Sequence, residues 1–316
     1  MTSVLVFGQP YWASRVVQAL NSPAGDMRAT FIPRAGYVRL VAMPPRSEGV
    51  VIMRTGYRVG ASTARGRLFD RYWSLLRRAL PAAVPCHYWL GTDVLNTLEE
   101  ARAGTLRQAI FASARDDLHL ADAPWLVSEL ESVGLHATTA HVPQPYRAPS
   151  VTLPLPREFS VLTYLPTDRF DFYGGATILE VARRLPGVQF DVVGSRGDTA
   201  PSAPDNVRWH GWVDDMAARY ASATAVVRIP RHDGFGATVI EGLLNARHVI
   251  YTHEVPFVRT VSPPSPENLA AALAELEDAH STGRLTPNLA GRSYALEEFN
   301  EARLVAHLMA VVRTRI

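Results

Sequence analysis

Asp233 and Glu241 stand eight residues apart, separated first by Gly-Phe-Gly and then by apolar residues at helical spacing. Gly234 and Gly236, on either side of Phe235, permit a tight turn that brings backbone N–H groups close to a ligand. The helix that follows, opening near Ala237 and Thr238, would aim its positive end at that ligand and favour an anion there. Two helical turns separate the acids, about 12 Å at 1.5 Å per residue. One carboxylate could meet one end of an extended ligand and the other its far end; sugar, diphosphate and ribose in a row have that shape. An acid at a helix start is also favoured by the macrodipole alone. The motif by itself therefore fits ordinary loop chemistry equally well, and the surrounding chain must decide.

Strands and helices alternate around it. VLVFG (residues 4–8) reads as a strand and YWASRVVQAL as an amphipathic helix after it. VRLVAM (38–43) and GVVIMR (49–54) are strand candidates, followed by a basic helix around 65–79. A strand near VPCHYWL, a helix around VLNTLEEARAG, a strand at AIFAS (109–113), a helix over LADAPWLVSELESVG and a strand at ATTAHVP complete the first half. Pro143, Pro145, Pro149, Pro154 and Pro156 then crowd one stretch that opposes regular structure and reads as a linker. Beyond it come strand FSVLTYL, helix GATILEVARRL, strands QFDVVGS and VRWHG, helix DDMAARYASA, strand AVVRI and the Asp233 segment. This rhythm predicts an α/β chain of two Rossmann-like domains, 1–148 and 149–294, facing across an interdomain cleft. Ligands of such sheets bind beyond the carboxyl ends of the strands.

Composition removes several chemistries. At 316 residues, 47% hydrophobic and 20% charged, the chain suits two soluble globular domains. It has no apolar run long enough to span a bilayer, and MTSVLVFGQP lacks the basic start of a signal peptide. The single cysteine, Cys86, excludes a disulfide framework and fits a reducing cytoplasm. All 32 basic residues are arginine, so a P-loop lysine, a Schiff-base lysine and a lysine base are excluded together. Residues 1–150 carry 16 Arg against 11 Asp and Glu, net +5, whereas 151–316 carry 16 against 19, net −3. The surplus sits in residues 54–78, where Arg54, Arg58, Arg65, Arg67, Arg71, Arg77 and Arg78 oppose only Asp70. That segment reads either as a core helix with a solvated charged face or as a peripheral contact with an anionic membrane. The basic charge is confined to one region and no nucleic-acid motif accompanies it, so no nucleic-acid partner is expected.

In motif order the chain resembles the GT-B glycosyltransferases, most of all the large retaining family 4 (glycosyl transferases group 1). The similar features are an acid, Gly-Phe-Gly and a second acid after seven residues at Asp233–Glu241; strand, loop and helix in FSVLTYLPTDRFDFYGGATILEVARRL; the glycine turn of DVVGSRGD; VRWHG; and LVSELESVGLHATTAHVPQP closing the first domain. The tail EEFNEARLVAHLMAVVR resembles the final family helix, which implies that a helix of about 295–316 packs back onto the first domain. The resemblance spans essentially the whole chain. It implies transfer of a hexose-like sugar from a nucleotide-diphosphate sugar to an acceptor hydroxyl, with retention of configuration and without a metal or other cofactor. Asp233 would lie beside the donor sugar and reacting centre, the amides of Gly234 to Thr238 would hold phosphate and sugar, and Glu241 would accept from the ribose hydroxyls.

Three places depart from the family pattern. Tyr173 and Tyr164 stand where the family's lysine and arginine neutralise the diphosphate, so positive charge must come from Arg169, Arg196, Arg228 or Arg231, with Arg228 and Arg231 the preferred pair. Gly194 belongs to the glycine turn on the same side. In HYWLGTDV, Gly91 and Asp93 keep the first-domain register, but Leu90 replaces a histidine and His87 is the nearest catalytic candidate. The acceptor-side glycine loop is reduced to Gly8 before Gln9 and Pro10. A non-catalytic GT-B-like subunit that binds a sugar nucleotide or glycan is the alternative these departures motivate. Gly-x-Ser-x-Gly, His-Glu-x-x-His and Asp-x-Asp motifs are absent, so no metal is expected. The implied setting is glycan biosynthesis in the cytoplasm or at the inner membrane face, with a glycan, lipid-linked or small-molecule acceptor.

Overall fold

A computed structural model of the chain describes residues 2–33, 36, 40, 49–56, 58–198 and 202–316. The strand expected at 38–43 lies, apart from Leu40, outside the described residues. Two compact units result, one of Met1–Pro145, Asp233–Phe235 and Glu301–Ile316, the other of Tyr146–His232 and Gly236–Asn300.

The first unit is built on strands β1 (Ser3–Gly8), β2 (Arg28–Phe31), β3 (Val50–Thr55), β4 (Val84–Trp89), β5 (Leu118–Ala121) and β6 (Thr138–Thr139). They form one parallel sheet in the order β2-β1-β3-β4-β5-β6. Helices α1 (Pro10–Leu20), α2 (Ala64–Ala79), α3 (Thr92–Arg102), α4 (Gln108–Ala112) and α5 (Pro124–Glu131) connect the strands. Every residue of β3, VVIMRT, is buried, as expected for a central strand of a parallel sheet covered on both faces. The AIFAS strand is a correction: those residues form α4, with Phe111 buried, and the strand lies later at Leu118–Ala121. Short apolar runs do not separate strand from helix by periodicity.

The second unit repeats the architecture. Strands β7 (Ser160–Tyr164), β8 (Gln189–Val193), β9 (Val207–Trp209), β10 (Ala225–Arg228), β11 (His248–Tyr251) and β12 (Arg259–Thr260) run parallel in the order β12-β11-β10-β7-β8-β9. Helices α6 (Gly175–Arg184), α7 (Ala217–Ala221), α8 (Ala237–Leu244), α9 (Pro266–Ser281) and α10 (Leu289–Glu298) belong to this unit. The last helix, α11 (Glu301–Arg313), belongs to the first unit, where Val305, Leu308, Met309 and Val312 join Val4, Val6 and Val16 in one apolar core. Residues 140–159, which include the proline run, form neither helix nor strand. Arg247 stabilises part of that stretch: its buried guanidinium donates to the carbonyls of Leu153, Pro154, Ala223 and Asn245.

Candidate functional site

Strand order locates where each sheet can hold a ligand. Successive connections leave in opposite directions between β1 and β3 in the first sheet and between β7 and β10 in the second. Such switch points open a crevice at the carboxyl ends of the two strands.

At the second switch point the loop after β7 supplies Arg169, Phe172 and Tyr173, and the end of β10 supplies Arg228 and then Arg231. Guanidinium and ring faces interleave there. Arg169 lies 3.9 Å from the Phe172 ring centre and 5.7 Å from that of Tyr173. Arg228 lies 5.2 Å over Tyr173, and Arg231 lies 5.2 Å over Phe172. Tyr164, at the end of β7, meets Tyr173 edge-on at 5.6 Å. A stacked guanidinium is oriented by the ring without spending its in-plane N–H donors on it. The backbone fixes the cluster as well, since Arg231 N–H donates to the Phe172 carbonyl at 2.7 Å. Burial raises the Tyr164 phenol above its usual range and Tyr173 adds to it, while Arg228 and Arg169 pull the other way.

The α8 N-terminus meets this cluster at Gly236, where a Cβ would collide with the Arg228 guanidinium, so only glycine lets the arginine lie against the helix start. Ala237 opens α8 and Thr238 lies in its first turn, the Thr238 hydroxyl buried and without a hydrogen-bond partner among the described residues. A second orphaned hydroxyl, Thr252, follows β11. Buried hydroxyls normally find partners, and that of Thr238 lies in the first turn of α8, where a bound anion would provide one. Glu241, about one turn into α8, accepts from the Tyr220 hydroxyl at 2.5 Å. Burial raises Glu241 and the tyrosine bond opposes it; Tyr220 rises well above its usual value, chiefly by burial and then by the Glu241 charge. Gly194 follows β8 and donates to the Gly211 carbonyl at 2.7 Å. Arg196 is exposed and lies against Gly211.

Asp233, Gly234 and Phe235 group with the first unit. Trp125 Nε1 donates to the Asp233 carbonyl at 2.9 Å, and the Phe235 ring packs on Trp125 and His141 at 5.4 and 4.9 Å. Phe235 N–H donates to Asp122 at 3.2 Å. A side chain on Gly234 would strike the Leu90 carbonyl, which accounts for glycine there. Asp122, which no motif in the sequence points to, also meets this segment. It follows β5, is buried, and also accepts from Val142 N–H at 2.7 Å. Burial pushes its carboxyl up to about 7, with Asp233 and Asp93 adding to the rise and the two backbone donors opposing it. Its signal is its place at a strand end, which reading AIFAS as that strand conceals.

At the first switch point, Gly8 ends β1, Gln9 caps α1, and Asp93 lies in the first turn of α3. Asp93 is buried and accepts from the N–H groups of Leu90, Gly91 and Val94 at 2.9 to 3.2 Å, holding the loop after β4 in place. His87 is elsewhere. It lies inside β4, 1% exposed, with Nε2 at 2.7 Å from Asp117 and its ring stacked on His119 at 4.8 Å. Burial keeps the imidazole neutral, well below its usual range. A ring enclosed in this way is part of the framework and cannot reach a substrate. Among the described residues no group of three or more His, Cys, Asp or Glu is placed to hold a metal ion.

No protein-family profile matches the chain, and no characterised protein matches its sequence. Solved structures do match in shape. Sucrose-phosphate synthase from Thermosynechococcus elongatus superposes with a TM-score of 0.70 at 15% identity, covering 99% of this chain and 99% of that one. The lipopolysaccharide outer core galactosyltransferase WaaB gives 0.67 at 12% identity, over the full length of both. A mutant of S. aureus TarM, in complex with fondaparinux, alpha-GlcNAc-glycerol and UDP, gives 0.63 at 13% identity over 87% of this chain. The chain has the GT-B fold. It spans only 57% of the length of TarM and 59% of the pneumococcal O-GlcNAc transferase GtfA.

Proposed function

We propose that the chain is a retaining glycosyltransferase that takes a hexose-like sugar from a nucleoside diphosphate and passes it to an acceptor hydroxyl. One observation carries this reading. Three arginines held on aromatic faces, a helix N-terminus and an orphaned buried hydroxyl converge at the second switch point, with Glu241 about one helical turn further on. Arg228, Arg169, Arg231 and the first amides of α8 would hold the diphosphate, Thr238 would donate to it, and Glu241, steadied by Tyr220, would accept from the ribose hydroxyls. Asp233 would face the sugar. In the reaction the anomeric C–O bond to phosphate breaks, a bond from the acceptor oxygen forms on the same face, and the acceptor proton passes to the leaving phosphate. The protein then supplies position and fixed positive charge rather than a metal. Tyr164 and Tyr173 in place of basic residues fit this arrangement, because they orient the arginines that take over the charge. Several matched structures carry such ligands by description: HepE with UDP and glucose, and GtfA with UDP and GlcNAc.

The exposed positions of α2 carry Arg65, Arg67, Arg71 and Arg78 together with Leu68 and Leu75, and no acid. This face suits a peripheral contact with an anionic lipid surface, the membrane side of the same reading. Among the described residues no helix is long and apolar enough to cross a membrane.

A thermal-shift panel of nucleoside diphosphates and sugar nucleotides tests the proposal. A bound ligand raises the melting temperature by mass action, and hydrolysis of the stabilising donor without acceptor would show turnover. Stabilisation with no turnover under any acceptor would instead identify a binding subunit. No stabilisation by any nucleotide, or unchanged binding and transfer in Asp233→Asn and Glu241→Ala, would overturn the assignment.

A further inference from the structure

Asp233–Phe235, the segment that carries the first acid of the motif, is held within the first unit from several directions. Trp125 Nε1 donates to the Asp233 carbonyl at 2.9 Å, and the Phe235 ring packs on Trp125 and meets His141 edge-on. A Cβ on Gly91 would come within 2.5 Å of the Gly234 nitrogen, so the loop after β4 closes on the segment as well. Asp122 adds an ionisable contact. Its Oδ2 accepts from Phe235 N–H at 3.2 Å and its Oδ1 from Val142 N–H at 2.7 Å. The Asp122 backbone is fixed at both ends, its N–H donating to the Trp89 carbonyl at 3.0 Å and its carbonyl meeting His141 Nδ1 at 2.5 Å. At 7% exposure the carboxyl is a fixed bracket rather than a swinging side chain.

Each oxygen of that bracket faces an N–H donor, an arrangement that suits a carboxylate. Ionised, the group accepts at both oxygens; protonated, one oxygen becomes an O–H donor and loses its N–H contact. The longer contact, at Phe235, is the weaker of the two and the one to give way. Facing Asp122 are Asp233 from the segment, Asp93 from α3 and His141 from the stretch after β6, with His307 of α11 beyond His141. Burial lowers His141 to about 4, so its ring stays neutral where Asp122, raised by burial to about 7, changes charge. We infer that Asp122 is a positioning residue: as a carboxylate it seats the Phe235 amide, and with it Asp233, and on protonation it releases them. The inference rests on the glycosyl-transfer reading, in which Asp233 faces the sugar, and adds a pH control to that same site. Transfer should then rise with pH as Asp122 ionises, because misplacing a reacting group by about 1 Å can cost about 100-fold in rate.

Amide resonances of the ligand-free protein, labelled with ¹⁵N at phenylalanine, test the seat from about pH 5 to 9. The Phe235 signal is identified by its absence in Phe235→Leu. Its proton should move downfield with a midpoint near the Asp122 value of about 7, as an N–H bonded to an ionised acceptor does. Asp122→Asn puts a neutral group in that place and should abolish the shift. Asp117→Asn, at another buried acid raised to about 7, should keep it. In turnover, kcat should rise through the same midpoint in the parent. Asp122→Asn should remove that rise and lower the plateau about 10- to 100-fold, mainly in kcat. The parent titration needs no variant at Asp122, so it tests the seat even if Asp122→Asn does not fold. A Phe235 amide that ignores pH, that titrates unchanged in Asp122→Asn, or that loses its response in Asp117→Asn alone, overturns the inference. So does a kcat–pH profile in Asp122→Asn identical with that of the parent. A Phe235 amide that titrates with Asp122 in a protein that turns over no donor would instead remove the glycosyl-transfer reading and leave the seat standing.

Discussion

Each switch point has an arginine near the carboxyl end of a central strand, Arg54 in β3 and Arg228 in β10, and their surroundings differ. Arg54, in β3, is 1% exposed and lies 3.2 Å from Asp70, which Arg107 also engages, with Phe69 and Trp73 rings over its guanidinium at 4.6 and 5.3 Å. Arg228, the last residue of β10, is half-buried and rests on a tyrosine face beside a helix N-terminus. A carboxylate fixes a buried charge and neutralises it; a ring orients a guanidinium through its face. The first arrangement builds a scaffold, and the second suits a ligand.

If this contrast holds, the largest effect belongs to the scaffold arginine. Arg54→Ala should lose about 3–5 kcal/mol of stability in urea unfolding, because it strips a buried carboxylate of a partner. A loss below about 1 kcal/mol would make Arg54 no more structural than Arg228. Next comes pH. Folded Asp122 keeps its proton up to about 7, whereas an unfolded aspartate loses it near 4, so folding takes up a proton between those values. The Asp122 contribution to stability should therefore fall as pH rises from about 4 to 7 and level off above, against an opposite contribution from the buried His119 and His141, which burial lowers to about 4. The Asp122 share is of order 2–4 kcal/mol, and Asp117, also raised by burial to about 7, adds to the same slope. Asp122→Asn should flatten part of that slope; an identical profile would show that Asp122 is ionised throughout.

The ligand arginine should behave oppositely. Arg228→Ala is expected to change stability by about 1 kcal/mol or less but to weaken nucleoside diphosphate binding about 10- to 100-fold in titration calorimetry. A variant that unfolds readily yet binds nucleotide normally would break the contrast. The smallest effect is expected at Glu241→Gln, about 1–2 kcal/mol in affinity for a ribonucleoside diphosphate. Little of that loss should appear with a 2′,3′-dideoxy analogue. Equal losses for both sugars would move Glu241 away from the ribose.

Much of this was legible beforehand because parallel α/β chains repeat their signals locally. Apolar runs, glycine turns and helix starts marked most strands and placed Arg228 and Arg231 beside the Gly-Phe-Gly loop. Failures came where partners are distant in sequence. AIFAS has strand composition but forms α4, which displaced β5 and concealed Asp122 at its end. His87 is the histidine nearest to the place where the family pattern has one, yet Asp117 and His119 enclose it. The Tyr220–Glu241 bond joins residues on two separate helices, and no spacing rule connects them.

By itself the sequence determined the chemistry available: no lysine, one cysteine, arginine as the source of fixed positive side-chain charge, and an acid–glycine–helix motif set late in a second βα series. Those properties depend on residue type and near neighbours. Tertiary structure alone decided which arginines lie buried against a carboxylate and which rest on an aromatic face, because that depends on what the strand order brings against each guanidinium. Burial against a carboxylate fixed Arg54, and an aromatic face and a glycine gap placed Arg228.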